Sequence, residues 1–255
     1  MSPAELGATA LEALLIGLLI GTIGIGGVLL TPWLTQVMAL PVREAIMISS
    51  FAFIATGAAA IFVAGRSGHA GDSGVVDWSL VVATVPGALA GALALSVIPS
   101  RLALALLALL TGWVGLRVLV AGPAPIQPSA RRTTGAGSAR SLPLGFATGF
   151  ASALTGTGGP MVLTPLLLWQ GAPLLAAILM GQLVQLPIAL TASAGNLVLG
   201  EVDVRAATAI GLLLLPGALC GRRVARSLPL LALSRVVGVT LIAAAVSFAA
   251  RAIGR

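Results

Sequence analysis

The sequence predicts an all-α integral membrane protein built from two homologous halves, and three observations carry that reading. Of 255 residues, 58% are hydrophobic and 8% charged, with a mean hydropathy of +1.10, whereas a soluble domain carries about 25% charged residues. So few charges cannot cover a water-facing surface, and lipid is the implied solvent. The apolar sequence is also cut by Pro, Gly and polar punctuation into pieces near the ~20 residues that cross a bilayer. Finally, the order of those pieces and their interruptions recurs after a polar interval. A transmembrane β-barrel is disfavoured, because aromatics make up only 4% and Tyr is absent, while barrels need alternating segments and aromatic girdles.

In chain order, the first apolar segment covers residues 6–38 and is interrupted at Gly24-Ile25-Gly26-Gly27. Segments follow at residues 42–64, 78–98 and 101–121, the last two separated by a tight turn at Pro99 and Ser100. Residues 122–140, GPAPIQPSARRTTGAGSAR, are rich in Pro, Gly and Ser and carry three arginines. That composition reads as a flexible linker at the membrane surface. A second broken segment spans residues 142–170, and apolar segments follow at 174–199, 204–221 and 229–250. The expected organisation is therefore an N-terminal membrane repeat over residues 1–121, a polar linker over 122–141 and a C-terminal membrane repeat over 142–255.

The halves match in detail. GIGGVLLTP at residues 24–32 pairs with GTGGPMVLTP at 156–165, with one extra residue. Pro41 pairs with Pro173, PGALAG at 86–91 with PGALCG at 216–221, and Pro99 with Pro229. Spaced matches that keep their order indicate internal duplication, an organisation common among secondary transporters.

Why both halves break a helix in the same place follows from backbone chemistry. In hydrocarbon every N–H and C=O must be satisfied internally, so an interrupted helix is tolerated only inside the protein or along a cavity. Residues 142–154 make a helix of roughly 20 Å and 161–170 one of roughly 15 Å at 1.5 Å per residue, which sets the break near the midplane. A helix that begins after the break offers unpaired N–H groups and a positive dipole end, and glycines let a ligand approach that backbone. Two such ends facing each other would bind an anion without a buried cation. The candidate substrate-binding residues are Thr22, Gly24, Gly26, Gly27 and Thr31 in the first half. In the second half they are Thr155, Gly156, Thr157, Gly158 and Gly159, with Gln182 and Gln185 on the following segment. The plainer alternative is that the glycines only permit close packing or a kink, and that the two amides only bond a neighbouring helix.

The paired glycine-rich stretches, the duplicated Pro-Gly-Ala-Leu-x-Gly and the four-plus-four layout resemble the TauE/SafE family of sulfite and organosulfur-anion exporters over residues 11–250. The resemblance implies a multi-pass carrier of the bacterial-type inner membrane. Its substrate would be a small anion, sulfite or an organosulfonate, with coupling to protons among the options. Its mechanism would be alternating access around a midplane site. Rival readings are a non-transporting membrane scaffold or assembly subunit, and a carrier of a different small solute.

Other classes fare worse. All the basic charge is Arg, at the ends of apolar runs, which speaks for membrane orientation rather than nucleic acid. No segment has a charge at its centre, no metal or cofactor is expected, and no Walker sequence is present. Asp72, Asp77 and Asp203 lie in loops or at segment ends, which leaves an intramembrane protease without its catalytic pair. The sole histidine, His69, falls in a polar loop, and Cys220, the one cysteine, reads as a small buried side chain. Asn196 reads as interfacial. The N-terminus, with Glu5 and Glu12 and no basic run, reads as retained rather than as a signal peptide.

Two topologies remain. If each broken segment crosses, the halves are parallel repeats; if it turns back at the glycines, they are inverted. With Arg131, Arg132 and Arg140 inside, the inverted scheme also places the arginines of residues 221–227 inside and is favoured, although Arg251 and Arg255 count against it.

Overall fold

The computed structural model describes residues 3–23, 27–66, 76–121, 140–170, 172, 174–199, 202–225 and 230–253. Gly24, Gly26, His69 and nearly all of the linker lie outside the described residues. The chain forms α1 (Pro3–Ile23), α2 (Gly27–Gln36), α3 (Val42–Arg66), α4 (Trp78–Val97) and α5 (Ser100–Ala121). The second half repeats the order as α6 (Ser141–Thr155), α7 (Gly159–Trp169), α8 (Leu174–Leu199), α9 (Val204–Ala225) and α10 (Leu230–Ile253). No strand occurs among the described residues. Among the described residues, four helices are long and apolar enough to cross a membrane by themselves, at Val42–Phe62, Trp78–Val97, Ala176–Leu199 and Val204–Gly221; the apolar stretches Ala10–Thr22 and Leu241–Ala250 are shorter. The result is an all-α membrane protein.

The helices pair reciprocally across the halves. α1 lies along α9 and α4 along α6; α3 packs on α8, and α5 on α10. The first two pairs are set by glycine. A methyl group placed on Gly17 would lie 2.3 Å from the Leu214 carbonyl oxygen, and one on Gly21 only 2.0 Å from that of Ala218. In return, Gly217 and Gly221 would meet the carbonyl oxygens of Leu14 and Leu18, each at 2.2 Å. Gly145 and Gly149 press on Leu80 and Thr84 in the same way, and Gly87 and Gly91 on Phe146 and Phe150. Each helix thus carries two glycines four residues apart, the small-residue pattern that lets backbones touch where lipid supplies no hydrophobic drive between helices. Numbers rise together along both pairs, so α1 runs parallel to α9 and α4 to α6. Gly112 faces Ala245, Gly115 faces Leu241 and Gly238 faces Leu119, so α5 and α10 run antiparallel.

Proline sits inside α2, α4, α8 and α9, at Pro32, Pro86, Pro187 and Pro216. Each removes a backbone donor, a defect that neighbouring helices can accommodate inside a membrane bundle.

Asp77 starts α4. Its carboxylate accepts from the Ser79 and Leu80 amides at 3.1 and 3.2 Å, from the Ser79 hydroxyl, and from the hydroxyl of Ser141 at the start of α6. One residue therefore caps one helix and ties it to the other half. Burial pushes the carboxyl up, but the hydrogen bonds from Ser141, Ser79 and Leu80 outweigh it, and its pKa lies below the ordinary value. A lowered folded pKa means that the stabilisation is present above the unfolded value of about 3.9 and is lost as pH falls through the folded one. Asp77→Asn is expected to cost about 1–2 kcal/mol at neutral pH. Its melting temperature should converge on that of the wild type in strong acid; a constant gap across the pH series would rule out the carboxylate as the cause.

Two expectations are corrected. Cys220 is exposed, because α9 turns the Gly217 and Gly221 face to α1 and directs Cys220 away from it. Asn196 is not interfacial in character but buried, at 1% exposure, since the neighbouring Gly195 packs against Ala92 and Leu89 of α4.

Candidate functional site

The second break is fully described. α6 ends at Thr155, where Gly156 takes a left-handed conformation (φ 61°, ψ 28°) and returns its N–H to the Ser152 carbonyl. The Thr157 amide bonds the same carbonyl at 3.3 Å. Gly158 is also left-handed, at φ 73°, and α7 begins at Gly159 with Pro160 in its first turn, where a missing N–H costs nothing. Two left-handed residues within three positions end α6 before α7 begins, and only glycine adopts that conformation freely. The Thr155 hydroxyl donates to the Ala151 carbonyl at 2.6 Å and lies 2.9 Å from the Thr157 hydroxyl.

The start of α2 comes to meet the second break. A methyl group on Gly27, the first residue of α2, would lie 2.7 Å from the Thr157 carbonyl oxygen and 2.8 Å from the Phe53 ring. One turn later Thr31, fully buried, donates to the Gly156 carbonyl at 3.3 Å and lies 3.3 Å from the Ser49 hydroxyl of α3. Two helix N-termini, each opening a short helix of 10 or 11 residues, therefore converge on one buried place. The first hairpin is also held across its arms, since the Trp33 indole donates to the Glu12 carboxylate at 2.6 Å.

Of the residues expected at the site, Gly27, Thr31, Thr155, Gly156, Thr157 and Gly158 come together. Gly159 packs against Val184, Ile188 and the Gln185 backbone. Gln185 donates its amide to the Thr56 hydroxyl of α3 at 2.8 Å, which ties α8 to α3. Gln182 is half-buried one turn earlier on α8. Thr22 stands apart from this group: its hydroxyl bonds the Leu19 carbonyl of its own helix, and its backbone lies at Gly221 of α9. Gly24 and Gly26 lie outside the described residues.

Sequence reasoning missed the α3 contribution. Phe53 touches both breaks, at 2.8 Å from a methyl placed on Gly27 and 3.5 Å from one on Gly158, and Ser49 and Thr56 supply hydroxyls beside it. A signal was available: the 132-residue offset that relates Pro41 to Pro173 also relates Phe53 to Gln185.

Chemically, the arrangement offers main-chain N–H groups and helix-dipole positive ends, while the Thr31 and Thr155 hydroxyl protons go to the Gly156 and Ala151 carbonyls, and no titratable side chain is among the residues that meet there. Such a set stabilises negative charge. Comparison with curated proteins and with solved structures gives no significant match. The family model described as "Sulfite exporter TauE/SafE" matches residues 13–248. With nearly its whole length matched, the chain belongs to the sulfite exporter TauE/SafE family, whose members are membrane transporters and not enzymes.

Proposed function

We propose that this protein is a secondary transporter of small oxidised-sulfur anions, sulfite or organosulfonates, in the inner membrane of a bacterial-type cell. The observation that carries the reading is the meeting of the two breaks, with the Thr31 hydroxyl on the Gly156 carbonyl and Gly27 against Thr157. The anion would sit at the N-termini of α2 and α7, held by their amides, and the hydroxyls of Thr31, Thr155 and Thr157 would donate to it by giving up their present acceptors. Alternating access would come from movement of one half against the other around that point. The helix directions support inverted repeats: α4 runs with α6, α1 with α9 and α5 against α10, which fits α1–α2 and α6–α7 as hairpins that enter and return. The division into membrane repeats at residues 1–121 and 142–255 around a polar linker belongs to the same reading.

Purified protein in liposomes, offered sulfite, sulfoacetate, sulfate and chloride in turn, tests it. Uptake or release of sulfite or sulfonate well above empty liposomes is the expected outcome. No anion flux would favour a scaffold, and flux of neutral or cationic solutes insensitive to sulfite would favour a different carrier. Gln185→Leu, which removes the α8–α3 bond to Thr56, is expected to lower sulfite flux several-fold at a stability cost of about 1 kcal/mol; unchanged flux would remove Gln185 from the site.

A further inference from the structure

Five buried polar atoms have no hydrogen-bond partner among the described residues: the hydroxyl oxygens of Thr148, Ser152 and Ser193, and both amide atoms of Asn196. All four residues are at most 3% exposed. Each unpaired group costs stability, and more so in a bundle that lipid surrounds. They are also gathered in one region. Thr148 and Ser152 are one turn apart on α6, and Ser193 and Asn196 one turn apart on α8. Both helices converge on the same turn of α4, where Gly91 meets Phe150 and Ala153 of α6 and where Ala92 and Leu89 meet Gly195 of α8. α6 and α8 also touch directly. Ser152 lies one turn before Gly156, and its carbonyl anchors the break.

The fold does not require polar residues here. By the 132-residue offset, Thr148 and Ser152 correspond to Ile16 and Ile20, and Ser193 and Asn196 to Ile61 and Ala64. Ile16 and Ile20 are buried in an apolar cluster with Leu30, Leu214 and Ile210, so the α1 counterpart of Thr148 and Ser152 is built from hydrocarbon, while Ile61 of α3 is exposed. Thr148 and Ser152 are thus polar where α1 is apolar, and with Ser193 and Asn196 they leave five buried polar atoms unpaired among the described residues.

We propose that Thr148, Ser152, Ser193 and Asn196 form a neutral oxyanion-binding station on the second-half side of the breaks, which the substrate occupies on its way to or from the site between α2 and α7. Three hydroxyls and an NH2 donate to the anion's oxygens, and the low local dielectric strengthens those bonds. The station deepens the reading of the protein as an anion carrier and rests on it. It makes the two halves unequal: hydroxyls at Thr148 and Ser152 of α6 stand where α1 has Ile16 and Ile20.

The test uses the full-length protein, with sulfite as the probe. Sulfite flux in liposomes gives KM, and the sulfite-induced rise in melting temperature is read against each variant's own baseline. Ser193→Ala, Thr148→Val and Asn196→Leu are expected to raise KM about tenfold or more, as loss of a charge-assisted hydrogen bond implies, and to abolish most of the sulfite-induced rise. Their melting temperatures without sulfite should equal or exceed the wild type's, because an unpaired buried polar atom has been removed; a purely structural role would not move KM. Ser193→Ala removes a single oxygen and keeps the test available should Asn196→Leu fail to fold. A wild type that moves sulfite and is stabilised by it, alongside variants matching it within twofold in KM, overturns the station alone. A wild type that does neither overturns the anion reading and the station together.

Discussion

Gly21→Val is expected to cost at least about 3 kcal/mol and to leave little folded protein in detergent. The physical reason is that α1 and α9 touch backbone to backbone. The first added carbon would stand 2.0 Å from the Ala218 carbonyl oxygen and 2.7 Å from its carbon. Neither atom belongs to a flexible side chain, so the helices must part. Parting them also loosens the reciprocal contacts of Gly217 and Gly221 with Leu14 and Leu18. The matched control is Gly112→Ala on α5, where the new methyl lies 3.3 Å from the Ala245 methyl and the expected cost is within about 1 kcal/mol. Thermal stability of detergent-purified protein, followed by size-exclusion chromatography, compares the two. Equal stabilities would mean that the α1–α9 contact is not what holds the halves together.

Gly27→Ala should abolish most sulfite transport while the protein still folds. The added methyl meets the Thr157 carbonyl oxygen at 2.7 Å and the Phe53 ring at 2.8 Å. The Phe53 ring can rotate away, but the Thr157 carbonyl belongs to the second break, so the strain falls on the geometry that brings two helix N-termini together. Misplacing those donors by a fraction of an ångström weakens hydrogen bonds that depend on distance and angle, and flux is expected to drop about tenfold or more. Liposome flux and the melting temperature are measured on the same preparation. Retained flux with a normal melting temperature would show that the meeting of the breaks plays no part in transport.

The two substitutions separate two uses of glycine that look alike in the sequence. At Gly17, Gly21, Gly217 and Gly221 the missing side chain lets regular helices touch, and φ is ordinary. At Gly156 and Gly158 the backbone itself is left-handed, at φ 61° and 73°, and ends one helix before the next begins. The first use recurs in each half, at Gly17 and Gly21 on α1 and at Gly145 and Gly149 on α6.

Composition and local pattern determined the membrane class, the interrupted segments and the recurrence of the two halves. α8 begins and ends where the sequence placed it, at Leu174 and Leu199, and α4 and α5 within a residue or so. These features are local: hydropathy sets helix length against a bilayer, and Gly and Pro mark where a helix cannot continue. Helix partners were a different matter. Helices apolar on nearly every face carry no stripe that says which side turns inward, and small residues are common throughout. Only the tertiary structure decided that α1 pairs with α9 rather than with its own α4, that Phe53, Ser49 and Thr56 of α3 stand at the breaks, and that Asn196 is buried with no partner among the described residues. In lipid, association is decided by how closely two particular backbones can approach and which polar atoms that approach leaves paired, and both are properties of two surfaces together rather than of either segment.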